Sequence, residues 1–440
     1  MSDSDAALEW RADSSDVLVQ GADLAGAGPG DLLIRDGSFV DPSDVRPGTR
    51  RVDAHGLVAL PGLVDLHTHL REPGREDAET VTSGTAAAAR GGFTAVLAMA
   101  NTSPVTDTAE AAEHLLDVGR AGGSAQVVPI GAVSKGLAGE ELAELGLMAR
   151  SAAATRVFSD DGHCVSDARL MRRALEYVRA FDGVVAQHAQ DPRLAGREAC
   201  CDEGPVSGRL GLPGWPAVAE AGIVARDVGL AELTRSRLHV CHVSTAETVA
   251  VLRWAKQRGI EVTAEVTPHH LLLTVDELLG YDPTYKVNPP LRSAEDVAAV
   301  RDALTDGTID AVATDHAPHA RHDKEHAFVD AAFGMLGLET ALAVVVETMV
   351  RSGALGWAEV ATRMSSVPAH IARLAGQGRP LRVGEPANLV LVDPDRRTTV
   401  DRDDSVSLSR NNPWHGRELP DPVVATWWEG RRTFARPGDR

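Results

Sequence analysis

Short apolar runs open and close the chain. Residues 16–60 contain DVLVQGADL, DLLIRDGSFV and GLVALPG, each broken by Gly, Asp or Pro, which predicts short β-strands joined by turns. NLVLVDPD, TTV and VVATWWEGRRTF repeat the pattern near the end. Chain ends often lie close together in folded proteins, so the two flanks are expected to pair into one small β-sandwich domain. Between them the periodicity changes. GLVDLHTH, FTAVLAMAN, AQVVPIGAV, TRVFSD, GVVAQHA, RLHVCHVS, IEVTAEVT and IDAVATDHA are nearly continuous apolar runs. Such runs suit parallel strands covered on both faces. Helical patterns such as AETVTSGTAAAAR, DARLMRRALEYVRA and TAETVAVLRWAKQ separate them. Eight strands alternating with helices predict an α/β fold, a TIM-like (β/α)8 barrel. The expected division is 1–60 for the first part of the small β domain, 61–375 for the barrel and 376–440 for the second part.

A doubly wound open sheet is the competing architecture. Its phosphate-binding G-x-G-x-x-G turn does not follow GLVDLHTH. No short internal repeat suggests a solenoid or propeller. A formal charge of −19 repels phosphate backbones, which argues against nucleic-acid binding. No apolar run approaches the roughly 18 residues of a membrane helix. The leading MSDSDAALEWRADSSD is acidic and lacks the basic-then-apolar order of a secretory signal. Cys164, Cys200, Cys201 and Cys241 are too few for a disulfide scaffold in a 440-residue chain and lack zinc-ribbon spacing. They read as thiols of a reducing cytosol, so a cytoplasmic protein is expected.

The chemistry lies in where polar residues interrupt the apolar runs. Catalytic groups of a TIM barrel sit where its strands end. His67 and His69 close the first strand, Asp160 and Asp161 the fourth, His188 the fifth, His242 the sixth and Asp315 the eighth. Five strands therefore aim ligand-type side chains at one mouth. Residues two apart on a strand share a face, so both imidazoles of His67-Thr68-His69 can reach one ion. Asp65 has the same parity but lies deeper. His239 has the opposite parity to His242 and reads as barrel-exterior. His269 and His270 face opposite ways; one could line the site, but a structural role is the favoured reading for both. His55, His114, His370 and His415 have no strand-end context. Imidazole with carboxylate favours Zn2+, with Mn2+ or Co2+ as substitutes. Two ions about 3.5–4 Å apart could hold a water and lower its pKa toward ~7. An aspartate beside that water can take its proton and return it to a leaving nitrogen. Asp315, between Thr314 and His316, is the best-placed candidate.

PGLVDLHTHLREPG, MANTSPVTD, FSDDG, HVCHVSTAETV, VTAEVTPHHLLL, YKVNPPLR and ATDHAPH together resemble the dihydroorotase family of single-barrel bacterial and archaeal type. The resemblance runs from about residue 50 to about residue 395. It implies a zinc-dependent cyclic amidohydrolase that reversibly cyclises N-carbamoyl-L-aspartate to L-dihydroorotate in pyrimidine biosynthesis. It implies that His67 and His69 bind a first metal, Asp161 bridges to a second, and His188 and His242 complete the second. Asp161 is preferred to Asp160 because the family's ligand is the second carboxylate of such a DDG turn. Asp315 would touch the first metal and shuttle the proton. Substrate contacts would come from His69, Arg71, Asn101, Asn288 and His319, with backbone help near Phe333 and Gly334. One or two zinc ions per chain are expected, two being preferred. The expected assembly is a homodimer, with an aspartate transcarbamoylase as a candidate partner. Ala100 stands where the family often has proline, and AQHAQD replaces the common AHCED, yet neither change removes a ligand.

Two other readings compete. Hydantoinases, dihydropyrimidinases and allantoinases are similar barrels that normally carry a carboxylated lysine on the fourth strand. TRVFSDDG has none, and Lys135 and Lys286 lie elsewhere. Some dihydroorotase-like barrels are inactive subunits that scaffold aspartate transcarbamoylase, but those usually lose ligands. Finally, the segment from Gln190 to Pro213 is long for a βα connection and holds GPVSGRLGLPG. It reads as a mobile flap over the mouth.

Overall fold

The eight apolar runs form eight parallel strands in the computed structural model, which describes residues 16–436. The acidic leader read above falls almost wholly outside the described residues. The strands are β1 (Leu63–Thr68), β2 (Phe93–Ala98), β3 (Gln126–Pro129), β4 (Val157–Phe158), β5 (Val184–Gln187), β6 (Arg237–Val240), β7 (Val262–Val266) and β8 (Ala311–Val312). β1–β3 pair in order, as do β4–β8. Isolated parallel bridges, Gly131 with Phe158 and Thr68 with His316, join the two groups into a closed ring. The barrel is therefore complete, though some of its walls are only two residues long.

Strand parity explains the packing. Phe158, Val185, Leu238, Val240, Val266 and Val312 share one buried core with helix residues such as Leu170, Val224, Val228, Val249 and Leu252. Residues of the other parity, among them Val157, Val184, Ala186, Ala311 and Ala313, gather in a second core with Val64, Leu66 and Ile371. Helices occupy the predicted intervals. Val81–Arg90 starts at a Thr80–Ser83 capping box, Ala168–Val178 at an Asp167 cap and Ala246–Gln257 at a Thr245 cap. Each cap satisfies a backbone N–H that the first helical turn leaves without a partner.

The chain ends build the small β domain together. Val17–Leu24, Pro29–Arg35, Ser38–Val40, Arg50–Asp53 and Val58–Pro61 share one hydrogen-bonded series with Leu389–Val392, Val423–Trp428 and Arg431–Ala435. Val58–Pro61 pairs antiparallel with Leu389–Val392 and so joins the two flanks. The sandwich core includes Val19, Ile34, Phe39, Leu389, Leu391 and Trp427. VVATWWEGRRTF is a hairpin, turning at Glu429 (φ 49°) and Gly430 (φ 75°). TTV pairs instead with Glu418–Pro420 in a separate two-stranded ribbon.

The segment expected to be a flap is built differently. It contains helices Pro192–Ala195 and Pro205–Leu210, and Cys201–Asp202 pairs in parallel with Gly214–Trp215. The buried Arg292 donates to Asp202 Oδ1 at 2.6 Å and to the Trp215 carbonyl at 2.9 Å. Tyr281 Oη donates to the Leu210 carbonyl. A loop tied by a buried guanidinium and its own strand pair is an ordered excursion. Its glycines serve as helix ends, as at Gly211 (φ 67°). Among the described residues, no helix is long and apolar enough to cross a membrane.

Candidate metal centre

β1 carries the first two imidazoles. Its pairing with β2 shifts register between Asp65 and Thr68. Asp65 turns away from the ring of ligands, accepting from Thr314 N at 2.9 Å and from the Thr314 hydroxyl. His67 and His69 remain at the mouth, buried, with ring centroids 5.4 Å apart. β5 ends one residue before His188. β6 ends at Val240, and the chain then turns so that His242 sits at φ 33°. Asp315 beyond β8 has φ 47° and Arg71 beyond β1 has φ 62°. Left-handed non-glycine residues cost roughly 1–3 kcal/mol each and cluster at functional sites. Here all three stand around one mouth.

Asp161 is the centre of the arrangement. Its Oδ2 lies 3.3 Å from the Nε2 atoms of both His67 and His69. Its Oδ1 lies 3.2 Å from His188 Nδ1 and 3.2 Å from His242 Nε2. Asp315 Oδ1 completes the first group, 3.1 Å from His69 Nε2 and 3.4 Å from His67 Nε2. The ligand atoms of His67, His69, Asp161 and Asp315 all lie within 4.8 Å of one another, as do those of Asp161, His188 and His242. The neighbouring Asp160 is used otherwise. Its Oδ1 accepts from Val133 N and Ser134 N at 2.8 and 2.9 Å, which fixes the loop after β3.

The polar environment suits a cation. His67 Nδ1 is 2.8 Å from Glu265 Oε1, while its buried Nε2 has no hydrogen-bond partner. A ring held at one nitrogen and left bare at the other is the usual arrangement of a metal-bound histidine. His69 Nδ1 is held in the same way by Asn101 Oδ1 at 2.9 Å, and His188 Nε2 by Gln190 Oε1 at 3.0 Å. His188 Nδ1 and His242 Nε2 lie 2.9 Å apart, a spacing of two nitrogen donors that a shared cation would relieve. Burial alone would raise Asp161, but the charge of His67 and hydrogen bonds from His188 and His242 hold it well below the ordinary carboxylate range. Burial likewise opposes protonation of His67, yet Asp161 and Asp315 outweigh it and hold the ring cationic. The donor set thus fits a metal: oxygen and imidazole ligands, second nitrogens already positioned, and carboxylates kept ionised.

Residues expected around substrate are placed as follows. Arg71 donates from Nε to the Pro318 carbonyl at 3.0 Å and makes no pair with Glu72 or Glu76. Burial lowers its pKa to about 10, so it stays cationic near neutrality. His319 Nε2 lies 2.6 Å from the Phe333 carbonyl, which requires a proton on Nε2. Arg71 Nη2, 3.3 Å from the same nitrogen, therefore faces a second donor and is left without an acceptor. Burial, then the charges of Arg71 and Lys324, lower His319 to about 2, so it is neutral. Asn288 Nδ2 donates to Gln190 Oε1, while its buried Oδ1 has no partner. Asn101 spends its oxygen on His69 and one N–H on the Asp161 carbonyl at 3.3 Å. The backbone at Phe333 and Gly334, expected to help bind substrate, is largely engaged within the protein. Gly334 N donates to the Lys286 carbonyl, and its oxygen accepts from Lys324 and Asn411. Phe333 offers only its N–H, because its carbonyl is taken by His319. Gly334 is needed for close packing instead: at φ 139°, a Cβ there would stand 2.7 Å from Ala317 Cβ and 2.9 Å from His319 Nε2.

His239 needs correcting. The strand register sets it opposite Ala186 and Thr263, and its Nε2 is 3.0 Å from Glu265 Oε2. Parity counted back from His242 fails because His242 lies beyond the strand. Glu265 itself was not singled out in the sequence, although a carboxylate within the apolar VTAEV run was a usable signal. Of the adjacent histidines, His270 is held by Thr267 and the Pro290 carbonyl. His269 keeps a buried, unpartnered Nε2, and burial lowers it to about 4. No lysine reaches the cluster. Lys286 Nζ donates to the Val329 carbonyl over the Phe333 ring, and Lys135 pairs with Glu141 on the surface.

The chain is similar to known proteins over nearly its whole length. A family model described as dihydro-orotase-like matches residues 56–248. The dihydroorotase of Streptomyces coelicolor is 59% identical over 423 residues, covering 96% of this chain and 98% of its own. That of Mycobacterium tuberculosis is 54% identical over 426 residues, covering 96% and 99%. Among solved structures, the L-hydantoinase (dihydropyrimidinase) of Arthrobacter aurescens superposes with a TM-score of 0.83 at 25% identity, covering 96% of this chain and 99% of its own. The dihydropyrimidinase of Brevibacillus agri gives 0.82 at 22%, covering 96% and 100%. The structural likeness establishes the barrel-plus-sandwich fold.

Proposed function

The chain belongs to the dihydroorotase family, and from that premise we propose that its six clustered side chains form the metal centre of a hydrolase acting on a cyclic amide. The reaction is the reversible cyclisation of N-carbamoyl-L-aspartate to L-dihydroorotate, a step of pyrimidine biosynthesis. One observation carries the assignment: the two oxygens of Asp161 each face a separate histidine pair. One pair is joined by Asp315, so two adjoining ligand groups share one carboxylate. Two zinc ions would suit that arrangement: His67, His69 and Asp315 would hold one and His188 and His242 the other, with Asp161 belonging to both groups. When bound, zinc supplies Lewis-acid polarisation of a carbonyl and acidification of water.

The protein's own groups do the rest. Asp315, kept ionised despite its burial by His67 and His69, accepts a proton on its carboxylate and passes it to the ring nitrogen that leaves. Arg71 turns its free guanidinium edge to the carboxylate that dihydroorotate carries and uncharged rings lack. Asn288 Oδ1, buried and unpartnered, accepts from a substrate N–H. Asn101 keeps one N–H for substrate while holding His69. The fourth-strand position where hydantoinases normally carry a carboxylated lysine is filled by Asp161, so activity needs no added bicarbonate. The protein works in the cytoplasm on a small-molecule substrate, as a homodimer with aspartate transcarbamoylase as a candidate partner. The deciding experiment measures metal content and ring opening of dihydroorotate, dihydrouracil and allantoin by the isolated chain. Metal-dependent turnover of dihydroorotate alone is the expected result. Preference for either uncharged ring, or full activity without metal, refutes the reading.

A further inference from the structure

A further cavity has His319 in its wall but not Arg71. Its volume is about 340 Å3, within the range of small-molecule sites. Arg321, Arg402 and Arg410 bring three guanidinium cations to its wall, and Lys324, lowered to about 7 by burial, lies beside them. In a protein of net charge −19 such a concentration is against the general trend. Arg321 and Arg402 are exposed, and among the described residues neither guanidinium has a hydrogen-bond or ion-pair partner. Arg410 is steadied by the Ser407 and Ser409 carbonyls at 2.6 and 2.8 Å. Lys324 is buried and donates to the Ala332 and Gly334 carbonyls. The opposing acids are Asp282 and Glu325 in the wall and Asp403, 3.7 Å from Arg410 Nε; Asp282 already accepts from Thr284 N. Unsatisfied guanidinium forks converging on a concave site are matched by the oxygens of a phosphate or carboxylate.

We propose that this cavity is a second anion site, distinct from the metal centre, that takes a small dianion of the phosphate or dicarboxylate class. Its wall includes His319 and Lys324, both hydrogen-bonded to the Phe333–Gly334 turn, so an occupant is read directly by the edge of the catalytic mouth. The effect on turnover rests on the dihydroorotase reading; the binding itself does not. Two sources share the chemistry. N-carbamoyl-L-aspartate carries two carboxylates, whereas dihydroorotate carries one, so the open-chain substrate could dock here before reaching the metals. A separate phosphate-bearing effector would fit equally well.

The test uses the metal-loaded full chain and its R321A/R402A variant, with R402E as a second variant. Both arginines are exposed and unpartnered, so the fold should be unaffected. Calorimetric titration with sulfate, a dianion with little tendency to ligate zinc, should give at least a tenfold weaker affinity in R321A/R402A and weaker still in R402E. If KM for N-carbamoyl-L-aspartate then rises severalfold while that for dihydroorotate is unchanged, the occupant is the open-chain substrate. If both KM values hold but sulfate no longer alters turnover, the occupant is an effector. Equal sulfate affinity in all three proteins overturns the proposal. Absence of any dihydroorotate turnover in the wild type would sink the functional reading, while the sulfate titration would still decide this one.

Discussion

Glu265 Oε1 lies 2.8 Å from His67 Nδ1, on the side of the ring opposite the ligand cluster, and Oε2 of the same carboxylate holds His239. One buried acid thereby fixes a ring orientation and, by accepting from Nδ1, turns Nε2 toward the cluster as the nitrogen a cation would take. Despite burial, the two histidines keep Glu265 ionised, with its pKa lowered to about 2.

Glu265→Gln should therefore weaken the metal centre without emptying it. Losing such an outer partner typically costs about 10–100-fold in metal affinity. Competition with a chelator, read as zinc per folded chain, should show that loss. Unchanged affinity would falsify the orienting role.

Metal affinity should also depend on pH in a set direction. In the metal-free protein, burial is outweighed by Asp161 and Asp315, so His67 carries a proton above its ordinary range; His188 is raised as well, mainly by Asp161. A cation must displace those protons, so affinity falls as pH falls, by about tenfold per pH unit for each proton released. The chelator titration repeated between roughly pH 6 and pH 8, where ordinary imidazoles titrate, should show a slope of at least one proton. A flat profile would mean that the histidines are already neutral.

Asp315→Asn should leave the fold intact, by circular dichroism, and nearly abolish turnover. An amide neither accepts the water's proton nor returns one to the leaving nitrogen, and such terms are worth roughly 10²–10⁴-fold. Residual kcat within a few-fold of wild type would remove Asp315 from that role.

Arg71→Ala separates a carboxylate reader from a structural arginine. Charge-assisted hydrogen bonds are worth about 1.5–3 kcal/mol each, so kcat/KM for dihydroorotate should drop by ten- to a hundredfold or more. Dihydrouracil, lacking the carboxylate, should be nearly indifferent. Equal losses on both rings would point to a general disturbance of the mouth.

The barrel was legible because its strands are buried on both faces and so appear as unbroken apolar runs. Polar residues at their ends stand out for the same reason, and six of the seven side chains picked out this way converge in space, Asp160 turning instead to the loop after β3. What escaped detection depends on local breaks in regularity. The turn at His242 defeats parity counting for His239. The segment from Gln190 to Pro213 looked loose because its anchor, Arg292, lies some eighty residues downstream in a stretch with no special pattern. The hydrogen bonds that occupy Gly334 come from Lys286, Lys324 and Asn411, and no local signal in the sequence announces such partners.

Asn411 carries that last point furthest. It comes from the C-terminal part of the chain, past the Leu389–Val392 strand of the sandwich, yet its side-chain amide donates to the Ala317 and Gly334 carbonyls and its oxygen accepts from His319 N. Ser407 and Leu408 N reach in beside it to Glu79. The two lobes are thus not interchangeable modules. Grafting the C-terminal lobe of one relative onto the barrel of another would succeed only if residues 407–411 matched the new mouth. Conversely, a substitution at Asn411 would disturb the backbone of Gly334 and His319 without altering a single barrel residue.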